Sequence, residues 1–183
     1  MTRSVIELPV SAADRRIAGL AAVAIGLTLA EAAIPSPVPG VKPGLANIVI
    51  LLVMLQYGWK TAVWVVALRV LAGSLLLGSF LSPGFWLSAA GALSSLAVLA
   101  AGQFLPRRWF GAVSLSVLAA FGHIAGQLVL AWLWLLPTAA LLNLLPLFAA
   151  AALLFGAING FIVARLLAAD ASPKGQSGPC IPL

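Results

Sequence analysis

Charge is what this chain has least of. Only 8% of its 183 residues are charged, where a soluble domain carries about 25%. Acidity is scarcer still: Glu7, Asp14, Glu31 and Asp170 stand against ten Lys and Arg. The single cysteine, Cys180, excludes a disulfide framework or a cysteine metal site within one chain. The single histidine, His123, has no cluster of carboxylates near it, so no metal site is expected. Asp14 and Asp170 lie at opposite ends of the sequence, whereas prenyl transfer needs clustered aspartates that hold magnesium on a diphosphate. No G-x-x-x-x-G-K-[ST] phosphate loop occurs either, which excludes that route to nucleotide hydrolysis. The expectation is a chain that is not itself an enzyme and that holds no cofactor.

What the chain has in abundance is apolar sequence, at 63% hydrophobic residues. At least five runs approach or exceed the roughly 18–20 residues a helix needs to cross a bilayer. The expected fold is all-α: a polytopic membrane protein of six transmembrane helices at about 17–34, 45–57, 61–78, 86–105, 110–136 and 147–168. Residues 1–16 read as a cytoplasmic N-terminal segment, 17–168 as the six-helix domain in contact with membrane lipid, and 169–183 as a disordered cytoplasmic tail. Pro146 is expected to separate a short helix over 138–145 from the last span. The net charge of +6 does not point to nucleic acid, because the basic residues sit singly or in pairs at the ends of apolar runs. Arg3, Arg15, Arg16, Lys60, Arg107, Arg108, Arg165 and Lys174 fall on one side of a six-span topology and only Lys42 on the other. That asymmetry is the positive-inside pattern. It places both termini in the cytoplasm and the protein in the cell membrane.

The connection from Glu31 to Asn47, EAAIPSPVPGVKPGLAN, is unlike the rest. Pro35, Pro37, Pro39 and Pro43 interrupt helix, and Gly40 and Gly44 permit turns closed to other residues. The second span is short, covering roughly 20 Å of a core of about 30 Å. The connection is therefore expected to dip into the bilayer as a gating loop that includes Pro35, Pro39, Gly40 and Gly44. At 1.5 Å per residue, Glu31 lies roughly 22 Å up its helix, His123 and Gln127 reach a similar height, and Arg69 lies roughly 13 Å from the inner end. Asn47 and Asn143 begin their spans on the outer side.

An ionisable group inside a membrane costs at least ~2.5–3.5 kcal/mol and is usually paired or faces a water-filled cavity. Two readings follow for Glu31 and Arg69: a pair across neighbouring helices, or part of a pocket open to the outside. In the second, Glu31, Lys42, Asn47, Arg69, His123 and Gln127 form the substrate-binding set, with Arg69 or Lys42 meeting an anion. On the first span, Ala18, Ala22, Gly26 and Ala30 recur every four residues. Such a ridge lets another backbone approach closely, either a helix of the same chain or another subunit.

Pro39-Gly40-Val41-Lys42 followed by Gly44-Leu45-Ala46-Asn47-Ile48, with Glu31, Ile34-Pro35, Arg69 and the segment from Ser88 to Ser95, resembles the Gx transporter family, also called heptaprenyl diphosphate synthase component I. Pro43 stands where that family usually has leucine. The resemblance covers about residues 20–165. Those proteins are similar to the substrate-binding S-components of energy-coupling-factor (ECF) importers. The resemblance implies a small-molecule substrate taken from the outer side, an S-component-like bundle, docking through the first helix, and a partner ATPase and coupling module. The synthase name implies another partner, a soluble prenyl synthase for which this chain would be a non-catalytic membrane subunit.

Overall fold

The structure is a computed structural model that describes residues 10–34, 44–106, 110–135 and 140–171. These residues form seven helices in chain order: α1 (Ala12–Ala33), α2 (Leu45–Tyr57), α3 (Trp59–Leu76), α4 (Pro83–Gly102), α5 (Ala112–Leu130), α6 (Ala140–Asn143) and α7 (Leu145–Ala171). A π turn, Ala131–Leu135, continues α5. Five of the helices are long and apolar enough to span a membrane, and α2, at 13 residues, is shorter. The protein is an all-α, multi-pass membrane bundle.

Local chemistry sets the helix ends. Ser11 accepts a hydrogen bond from the Asp14 backbone N–H at 3.1 Å, and the Asp14 carboxylate accepts one from the Ser11 N–H at 3.0 Å. This reciprocal capping box starts α1 at Ala12, five residues before the apolar run begins, so α1 extends into the segment expected to be separate. Gly58, at φ 81, is the single residue between α2 and α3. A left-handed conformation there favours glycine and turns the chain back at once. Ser82 caps α4 ahead of Pro83, a position where the missing N–H costs nothing. The short helix α6 is separate from the last span, as expected, with the break at Leu144 just ahead of Pro146. Pro146 itself lies in the first turn of α7, where its N–H has no helical partner to lose.

Packing divides the bundle into two halves. The helices α1, α2 and α3 lie against one another, α5 lies against both α4 and α7, and the halves meet where α2 lies on α7 and α3 on α4. Within the second half the backbones nearly touch. A Cβ built on Gly160 would come within 2.6 Å of Val113 Cα, one on Gly156 within 2.9 Å of Val117 Cα, and one on Gly126 within 2.7 Å of the Ala90 carbonyl oxygen. These are the close approaches that G-x-x-x-G spacings permit, here Gly122–Gly126 on α5 and Gly156–Gly160 on α7. The shared core includes Val49, Ile50, Val53, Val65, Leu96 and Val163. Outside it, Trp59, Trp64, Trp86, Trp132 and Trp134 are exposed, several of them at helix ends, as aromatic residues are at membrane interfaces.

Arg16 stacks over the Tyr57 ring at 4.9 Å, and Gln56 donates to Asp170 at 3.1 Å. The start of α1, the end of α2 and the end of α7 therefore share one end of the bundle, the terminal end. The opposite end, where α1 finishes and α2 starts, is the loop end.

Gly160→Ala is expected to force α5 and α7 apart and to lower stability by about 1–3 kcal/mol. Gly19→Ala, with no atom within 4 Å of the added carbon, is expected to be neutral or to stabilise by up to about 1 kcal/mol. Thermal unfolding of the two variants in detergent measures the contrast.

Candidate functional site

At the loop end, a cavity of about 440 Å³ opens between the two halves. Thr28 and Glu31 of α1, Asn47 of α2 and Arg69, Gly73 and Ser74 of α3 line one side, and Phe85 and Ser88 of α4 with His123 and Gln127 of α5 line the other. Gly44, just before α2, completes the rim.

Arg69 is the cation among the described residues of this cavity and is only 9% exposed. Its Nε donates to Thr28 Oγ1 at 3.2 Å and its Nη1 to Asn47 Oδ1 at 3.0 Å. The Thr28 hydroxyl spends its own proton on the Ala24 carbonyl at 2.9 Å, so its oxygen faces the guanidinium as an acceptor. These bonds aim the guanidinium and leave it further N–H donors, since it carries five in all.

Glu31 is 4% exposed, and its carboxylate accepts from the backbone N–H of Leu45. That N–H is one of the unpaired donors at the start of α2, and negative charge is favourable at a helix N-terminus. Glu31 therefore joins the end of α1 to the start of α2. Among the described residues it forms no direct ion pair with Arg69. The two groups line one cavity and have different hydrogen-bond partners.

Gly44 holds φ 70, and its carbonyl accepts from the Asn47 N–H at 2.8 Å and from Asn159 Nδ2 at 3.2 Å. A Cβ there would lie 3.0 Å from Asn47 Nδ2. Glycine is needed both for the backbone and for the room.

Across the cavity, the His123 imidazole rests on Gly91. A Cβ on Gly91 would come within 2.7 Å of His123 Cε1 and 2.9 Å of Gln127 Cγ. The buried His123 Nδ1 has no hydrogen-bond partner among the described residues.

Of the residues singled out in the sequence, Glu31, Gly44, Asn47, Arg69, His123 and Gln127 meet at this cavity. Lys42, Pro35, Pro39 and Gly40 lie outside the described residues. Asn143 is exposed on α6 and does not line the cavity. Thr28, Ser74 and Asn159 were not anticipated, and Ser88 was singled out only as the start of the segment Ser88 to Ser95. Thr28 had a signal, lying one turn before Glu31 on the same helix. Asn159 had none, because its partner Gly44 is 115 residues away. The ridge Ala18, Ala22, Gly26 and Ala30 is exposed along α1, so it does not pack against the other described residues of this chain.

Glu31→Ala removes the acceptor at the start of α2 and is expected to cost about 0.5–2 kcal/mol. Glu31→Gln keeps an acceptor oxygen and is expected to cost less. Hydrogen exchange at the Leu45, Ala46 and Asn47 amides reads the difference as faster exchange in the Ala variant.

No curated protein and no solved structure matches the chain. The family model described as heptaprenyl diphosphate synthase component I matches residues 20–166, which takes in every helix from most of α1 into α7 and the whole cavity. The chain belongs to the heptaprenyl diphosphate synthase component I family.

Proposed function

We propose that this protein is a membrane solute-binding subunit that holds a small anionic solute in the loop-end cavity and takes part in its uptake. The observation that carries the reading is Arg69, a permanent cation buried in a cavity with hydrogen-bond donors to spare. The volume of about 440 Å³ lies within the range of small-molecule pockets. Asn47, Ser88, His123 and Gln127 supply further polar groups that can fix a guest's orientation. Lys42, in the sequence between α1 and α2, would meet the same anion in this reading. The gating role assigned to Pro35, Pro39, Gly40 and Gly44 is part of the same reading.

Energy for uptake would come from a partner, an ATPase and coupling module of the ECF type. The exposed ridge of Ala18, Ala22, Gly26 and Ala30 suits close approach by a helix of that partner. In this reading both termini are cytoplasmic and the cavity faces outward from the cell membrane.

The family's name favours a second reading, in which the chain is a non-catalytic membrane subunit of a polyprenyl diphosphate synthase. The two known aspartate positions serve structure: Asp14 caps α1 and Asp170 accepts from Gln56. Catalysis would then reside in a soluble partner.

Gentle purification from the native membrane, with mass spectrometry of co-purifying proteins and small molecules, separates the readings. An ATPase pair or a bound polar anion supports the first; a soluble prenyl synthase with bound isoprenoid supports the second and overturns the first. Where an anion is found, Arg69→Met is expected to weaken its binding by about 10- to 100-fold, the equivalent of losing charge-assisted hydrogen bonds of about 1.5–3 kcal/mol. Calorimetric titration measures it.

A further inference from the structure

The loop-end cavity does not stand alone. Directly beneath it lies a void of about 10 Å³ lined by Asn47, Ser95, Ser116 and Asn159 among apolar neighbours. Asn47 belongs to both. At the terminal end a third cavity, of about 460 Å³, lies between the end of α2, the end of α4, the start of α5 and the end of α7, with Met54, Gln103, Phe110 and Leu115 in its wall. Leu51 and Leu99 line both the small void and this third cavity. The three spaces therefore run in series from one end of the bundle to the other, joined by shared walls.

All three follow the seam between the two halves. On one side stand α1, α2 and α3; on the other stand α4, α5 and α7. The second half is locked by backbone-to-backbone contact at Gly126, Gly156 and Gly160. Across the seam, side chains meet instead. Gln103 reaches Met54 Sδ at 3.7 Å, and Leu51 and Leu99 are 2% and 3% exposed. Separating two sets of side chains disturbs less than parting helices packed glycine to backbone.

Polarity is arranged along the same line. Arg69, Asn47, Ser95, Ser116 and Asn159 descend from the loop-end cavity to the middle of the bundle. Ser95 and Ser116 are buried residues that line the small void together with Asn47 and Asn159. A space of this size with several polar groups around it can hold one water. Below this wettable stretch come Leu51 and Leu99, which offer no polar atom. An apolar constriction between wet spaces closes a pore by excluding water.

We propose that the seam is the path along which a solute crosses this protein, and that Leu51 and Leu99 are its closed gate. The proposal rests on the transport reading above and extends it: the bundle is a conduit in itself, beyond a binding cup at one end. A change that parts α2 from α4 at these two leucines joins the cavities. Opening needs no disruption within either half.

The test uses the full chain reconstituted in liposomes, with ribitol as the permeating probe and osmotic swelling as the readout. Leu99→Ser and Leu51→Ser are expected to raise ribitol entry several-fold over the wild type, while Leu99→Met, which keeps the constriction apolar and filled, is expected to leave it unchanged. Folded, monodisperse Ser variants that are as tight as the wild type overturn the proposal. Should the Ser variants not fold, Leu51→Cys in a Cys180→Ser background is exposed to a small membrane-impermeant thiol reagent in right-side-out and in inverted vesicles. Labelling from both faces supports the path, and labelling from one face or neither overturns it. Swelling with ribitol needs neither Arg69 nor the natural solute. A sealed seam with intact anion binding refutes this proposal alone, and an open seam without anion binding refutes the binding reading alone.

Discussion

The obligation of every buried polar group to find a partner in a low-dielectric interior governs this structure. Lipid offers no hydrogen bonds, so a cation such as Arg69 can sit within the bundle only if neighbouring helices meet its needs. Thr28 from α1 and Asn47 from α2 do so, and thereby tie three helices at one level. The same obligation links α1 to α2 through Glu31 and the Leu45 N–H, and α7 to the start of α2 through Asn159 and the Gly44 carbonyl. The short helix α2 is the hub of all three connections. Its N-terminus is held by groups from α1 and α7, its first turn reaches Arg69 of α3, and the loop-end cavity forms around that knot.

A second constraint works against the first. Helix pairs in lipid gain most from close packing, and α4, α5 and α7 achieve it by removing side chains at Gly126, Gly156 and Gly160. Polar side chains that need space are thus gathered where packing is least intimate, along the seam. Gly91 is an instructive exception: its missing side chain makes room for the imidazole of His123 and for Gln127 in place of a neighbouring backbone. One residue type therefore builds the rigid half and seats two groups of the cavity wall.

Function and family meet in this arrangement without coinciding in name. The family description speaks of a synthase component, while the residues that the fold brings together are those of a pocket: a buried cation, amides, hydroxyls and an imidazole. The two aspartates cap a helix and bridge α2 to α7 at the terminal end, remote in role from that pocket.

Much of this could be read from the sequence. The length and spacing of the apolar runs determined an all-helical membrane bundle, because only helices close their backbone hydrogen bonds within one segment in lipid. The rarity of charge made Glu31 and Arg69 conspicuous, and helix rise alone put Glu31, His123 and Gln127 at similar heights. Helix ends were less legible: the capping box at Ser11 and the tolerated Pro146 moved two boundaries, because local hydrogen bonds and missing N–H groups, not apolarity, decide where a helix starts. Tertiary structure alone decided the partners. That Glu31 serves the Leu45 N–H in place of Arg69, that Asn159 reaches Gly44, that the α1 ridge faces outward, and that three cavities share one seam depend on how helices rotate and pack. Periodicity in one chain specifies a helix's faces but not which neighbour each face meets, since that choice is made by the fit of all the helices together.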